Sequence, residues 1–127
     1  MLVPIATSET LSRFILQKNW YRPSDSTVKY ATFMPNPNNG QTSVFRIYGL
    51  SDKEVWDIGE LEVAPRLVKP VLGRADIGVS NVMEKGLKIL PSEPPKRHAN
   101  IEGWPEEKSE QTLIAIELAA KSIFLKR

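Results

Sequence analysis

The chain has 127 residues, no cysteine and a net charge of +2, with 41% hydrophobic and 25% charged residues. These values fit a single globular domain over residues 1–127, large enough to bury its own core. They exclude disulfides, thiolate metal sites and cysteine nucleophiles, fit a soluble protein of the reducing cytoplasm, and weigh against nucleic-acid or membrane partners, since the charge is small and no apolar run nears the roughly 20 residues of a membrane span.

Ser8 is placed to cap a first helix ending near Asn19, in which Leu11, Phe14 and Ile15 share one face at i, i+3, i+4 spacing. Arg22-Pro23-Ser24-Asp25-Ser26 reads as a turn, because the residue before a proline is pushed away from helix. Thr27–Met34, rich in β-branched and aromatic residues, predicts a strand. The loop Pro35–Gly40 then leads to a second strand, Thr42–Tyr48, antiparallel to the first. In that strand Phe45 and Ile47 take one face, and Val44, Arg46 and Tyr48 the other.

Ser51-Asp52-Lys53-Glu54 has the form of a capping box and starts a short helix through Trp56 and Ile58. Leu67–Leu72, with Pro70, predicts an edge strand. Ala75–Val79 reads as another short strand, Asn81–Lys85 as a helical turn closed by Gly86, and Leu87–Ile89 as a further strand. Three prolines between Pro91 and Pro95 enforce extended chain. His98–Glu102 is a short strand or an ordered loop.

Pro105 fits the first position of a long C-terminal helix, with acids at its start and Lys121, Lys126 and Arg127 near its end, as the helix dipole favours. Leu113, Ile116, Ala120, Ile123 and Phe124 form a stripe expected to face the core. Ile114, Leu118 and Leu125 form a second stripe, either buried in the same domain or paired with a symmetry mate in a homodimer. The expected fold is thus α+β: a small, mainly antiparallel sheet with an N-terminal helix, a short middle helix and a long C-terminal helix packed on it.

No sequence motif fixes a chemistry. There is no G-x-S-x-G elbow, no H-E-x-x-H and no EF-hand loop, and the glycines Gly73 and Gly78 lack the Lys-Ser/Thr of a P-loop. No metal or cofactor is expected. The segment Pro94–Pro105 gathers the candidates. His98, the only histidine, is the side chain that titrates nearest neutrality and so the first choice for acid–base work. Asn100 shares its face in extended chain and is placed to orient it. Arg97 and Trp104 lie within the same segment, as an anion ligand and an apolar wall. Arg46 and Arg74 complete a set of planar guanidinium groups able to clamp an anionic small molecule. Against each stands a plain alternative: a hydrogen-bonded histidine, or an arginine in a salt bridge to Glu54 or Asp57.

Two functions follow. One is a small interaction module, self-associating through the C-terminal helix, with Pro91–Trp104 touching a partner. The other is a small enzyme acting on a nucleotide or other phosphorylated ligand, with His98 as the acid–base group.

Overall fold

A computed structural model describes residues 3–127. Among the described residues eight strands form a six-stranded antiparallel sheet and a two-stranded ribbon. In chain order the elements are β1 (Thr10–Ile15), β2 (Tyr21–Arg22), β3 (Thr27–Val28), β4 (Thr42–Arg46), α1 (Asp52–Ile58), α2 (Ala64–Leu67), β5 (Gly73–Gly78), α3 (Val79–Met83), β6 (Lys88–Pro91), β7 (His98–Glu102), α4 (Lys108–Lys121) and β8 (Ile123–Lys126). The large sheet has the order β6-β7-β4-β1-β5-β8, and β2 pairs with β3.

The expected N-terminal helix is not formed; that segment is β1, followed by a 3-10 turn at Lys18–Trp20. The cause is its place inside the sheet, between β4 and β5. Leu11 and Ile15 join the core on one face, while Phe14 and Leu16 join the core on the other. A strand buried on both sides has no polar face, so its apolar residues lose the alternation that marks a strand, and Leu11, Phe14 and Ile15 imitate a helical stripe.

One face of the sheet carries α4 and α3. There Ala115, Leu118 and Ala119 meet Leu11, Val44, Ala75, Ile77, Ala99 and Ile101. The other face carries α1, whose Val55 packs with Phe14, Phe45 and Val71. The capping box forms as read: Glu54 N–H donates to Ser51 Oγ at 3.2 Å, and Ser51 N–H to the Glu54 carboxylate at 3.0 Å. The helix does not stop at Ile58. It runs through a π segment at Gly59–Val63 into α2. Gly59 permits the approach to the sheet, because a Cβ there would lie 2.7 Å from Cε1 of Phe14.

The other differences have equally local reasons. Thr27–Met34 does not form one strand beside β4: β3 takes only its first two residues and pairs with β2, and Tyr30–Thr32 is a 3-10 turn. Leu67–Leu72 is the end of α2 and a connector, not an edge strand. The C-terminal helix starts at Lys108, three residues after Pro105, and ends at Lys121. Beyond it the β-branched and aromatic Ile123-Phe124 continue into β8, which supplies β5 with its second partner. The two stripes of α4 exchange roles. Leu118 is fully buried, whereas Leu113 and Ile116 are 65% and 48% exposed. Among the described residues no helix is long and apolar enough to cross a membrane.

Candidate functional site

Strands β4 and β7 are neighbours, and their register sets Phe45 opposite His98 and Ser43 opposite Asn100. Side chains two apart on a strand share a face, so these four lie together on the sheet. They line a cavity of about 690 Å³. Its walls come from the loop Pro35–Gln41, from Glu62, Val63, Arg66 and Leu67 at the end of the middle helix, and from Ser92, Pro94 and Pro95 before β7.

His98 is held at both ring nitrogens. Nδ1 lies 2.9 Å from the carbonyl oxygen of Ser92, and Nε2 lies 2.6 Å from Oγ of Ser43. A carbonyl only accepts, so Nδ1 carries the proton, and Nε2 accepts from the Ser43 hydroxyl. The Phe45 ring sits edge-on at 5.3 Å between centroids and fixes the imidazole from the side. Burial pushes the His98 pKa below its ordinary value; the Ser92 carbonyl works against that shift, and Arg66 and Arg13 add to it. The ring is therefore neutral near pH 7.

Arg13 is the second polar feature of this cavity. The β1–β4 ladder holds through Leu11–Arg46 and Ser12–Phe45. Beyond it Arg13 donates from Nε to the Thr32 carbonyl and from Nη1 to the Ser43 carbonyl, each at 3.0 Å. Its guanidinium carbon stands 4.9 Å from the Trp20 ring centroid. Burial lowers its pKa to about 10, so it stays charged at neutral pH. Among the described residues no carboxylate forms an ion pair with it. A part-buried cation balanced only by two carbonyl dipoles and the face of one indole ring projects positive potential into the cavity. Arg66, exposed on the cavity wall, adds a second positive charge, and Glu62 is the carboxylate on the same wall.

The structure brings His98 and Asn100 to one cavity and places the other candidates elsewhere. Arg46 is 5% exposed and meets Glu9 through two hydrogen bonds of 2.8 and 2.7 Å, donating also to the carbonyls of Val3 and Pro4. Its acidic partner is thus Glu9, not Glu54 or Asp57. Arg74 is buried between Asp52, at 2.8 Å, and Asp76, at 3.2 Å, against the ring of Trp56. Arg97 donates to the carbonyls of Arg46 and Tyr48 and faces a separate hollow, which it shares with Lys96, Glu54 and Asp57. Trp104 packs against the main core. Among the described residues no group of three histidine, cysteine or acidic side chains is placed to hold a metal ion.

Sequence reasoning missed Ser43, Arg13 and Arg66. Placing Phe45 and Ile47 on one strand face already implied Ser43 there, but only the β4–β7 register shows that His98 lies beside it. Arg13 was hidden by the helical reading of β1. Comparison with protein-family models, with curated proteins and with solved structures finds no match to this chain.

Proposed function

We propose that this chain binds a small anionic organic molecule, carrying a phosphate or a carboxylate, in the cavity floored by Ser43, His98 and Asn100. The observation that carries this reading is Arg13: a guanidinium held in the cavity by two carbonyls, with no carboxylate partner among the described residues. The volume falls within the roughly 300–1,000 Å³ typical of small-ligand sites. The Asn100 amide supplies further donors and acceptors, and Arg66 at the wall draws in negative charge. The absence of cysteine supports a cytoplasmic setting.

A thermal-shift series with inorganic phosphate, phenyl phosphate, benzoate and nucleoside monophosphates tests the reading. An anion at 100 times its Kd adds about 2.7 kcal/mol to stability. Arg66→Ala, at an exposed position, weakens that response by roughly tenfold in Kd, about 1.4 kcal/mol. A panel without any shift in the wild type refutes the proposal.

A second reading rests on a different observation. Leu113, Ile116 and Ile123 are exposed along α4 and β8, next to an edge strand, and a second copy would cover this stripe across a two-fold axis. Sedimentation decides it: Ile116→Glu converts a dimer to monomer, and a wild type that is already monomeric at high concentration removes the idea.

A further inference from the structure

We infer that Ser43 is a nucleophile, with His98 as its general base, toward carboxylic esters that carry an anionic group. The inference rests on the binding reading above and assigns a chemistry to the same cavity. Three features of the site coincide with what activated serine requires. The hydroxyl of Ser43 points at Nε2 of His98 at 2.6 Å. Nδ1 is tied to the Ser92 carbonyl at 2.9 Å, which fixes the tautomer that leaves Nε2 free to take a proton. Here that carbonyl stands where a carboxylate orients the imidazole in the common triad. The pair also opens onto a cavity able to hold a substrate.

The step balances without further reagents except water. Oγ of Ser43 bonds to the acyl carbon while its proton passes to Nε2. The bond from that carbon to the ester oxygen then breaks, and the departing oxygen takes the proton from Nε2. Water adds to the acyl carbon, giving a proton to Nε2. The bond to Oγ breaks as that proton returns to it, and the carboxylic acid leaves. Asn100, opposite Ser43 in the β4–β7 register, and Arg13, which donates to the Ser43 carbonyl, are the donor side chains we assign to the oxyanion. The preference for an anionic substrate follows from charge. Burial opposes protonation of His98, and the charges of Arg66 and Arg13 add to that opposition; a bound phosphate or carboxylate group offsets the charge part at the moment the imidazolium forms.

The test is covalent labelling of the full chain with 4-(fluorosulfonyl)benzoic acid, read by intact mass and peptide mapping. Ser43 displaces fluoride from sulfur, and the probe's carboxylate meets the cationic wall. The expected result is an adduct on Ser43 that is absent in Ser43→Ala and forms at least about 100-fold more slowly in His98→Gln. A wild type without a Ser43 adduct overturns the inference, as does an equal rate in a His98→Gln variant that melts like the wild type. If that variant does not fold, the pH profile of the wild type takes its place. The labelling rate must then follow the titration of the imidazole seen by NMR, with Arg13, Arg66 and Glu62 as the other charged groups on the wall; a rate that ignores it overturns the inference. An unreactive Ser43 in a protein still stabilised by phosphate removes the hydrolytic step and leaves ligand binding standing. Absence of both removes the two together.

Discussion

Replacing Glu9 by glutamine asks whether Arg46 is a ligand group or a structural one. The two side chains are each 6% exposed and meet through two charge-assisted hydrogen bonds. Glu9 also accepts from the Ala6 N–H at 2.8 Å. Breaking a buried pair by removing one charge costs about 3–5 kcal/mol, because the remaining charge is left desolvated. Arg46 keeps the carbonyls of Val3 and Pro4, and glutamine keeps one oxygen, so the low end, about 3 kcal/mol, is expected at pH 7. The loss must also depend on pH in a definite sense. The side-chain hydrogen bond from Arg46 holds the Glu9 pKa below its ordinary value, against the opposing effect of burial. The unfolded chain therefore takes up a proton at Glu9 before the folded one does. The stabilisation is complete above the unfolded pKa and is lost as pH falls through the folded one. Urea unfolding of wild type and Glu9→Gln, at pH 7 and at successively lower pH, measures both. A difference under 1 kcal/mol at pH 7, or one that does not shrink on acidification, would refute the ion-pair account.

Gly59→Ala drives a methyl group into Phe14, so it should destabilise by about 1–3 kcal/mol; Phe14→Leu in the same chain should recover part of the loss, as read by chemical denaturation. Leu118→Ala removes a fully buried side chain and should cost about 2–5 kcal/mol, while Ile116→Ser on the exposed stripe of α4 should stay within roughly 0.5 kcal/mol in the monomer. NMR titration of His98 should give a pKa below that of a free imidazole, rising toward it in Arg66→Ala and on phosphate binding; a His98 that titrates normally in the wild type contradicts the buried, serine-bonded ring. Ser51→Ala deletes the cap of α1 and should lower stability by about 1 kcal/mol by thermal unfolding.

What could be read in advance depended on whether the deciding interaction was local. The capping box at Ser51–Glu54 is written within four residues and forms as read. The sequence of His98–Glu102 fits a strand or an ordered loop, and it is a strand because β4 and β6 flank it. β1 imitates a helix in sequence because burial on both faces, a property of its neighbours, erases its alternation. The stripes of α4 were misassigned for a related reason. Counting apolar residues favoured Leu113, Ile116 and Ile123, yet close packing on the sheet selects the small Ala115 and Ala119 around Leu118. In the candidate site, His98 and Asn100 stood out by residue type and spacing. Ser43 lies 55 residues before His98, and no local pattern joins them. Arg46 and Arg74 look as suitable as any guanidinium in sequence; in the fold Glu9 reaches Arg46 from a distant segment, and Arg74 lies between the distant Asp52 and its near neighbour Asp76.

The cavity is assembled from two kinds of material. Its floor is ladder-bonded strand, where Ser43, His98 and Asn100 hold fixed spacing, while most of its rim is supplied by the Pro35–Gln41 loop, the tail of the middle helix and the prolines ahead of β7. Outline and anchoring are thereby separable in part. Exchanging the Pro35–Gln41 loop or the tail of the middle helix would reshape the cavity while leaving the Ser43 and Ser92 contacts that hold the imidazole, so the sheet keeps one pair of groups in place under more than one rim.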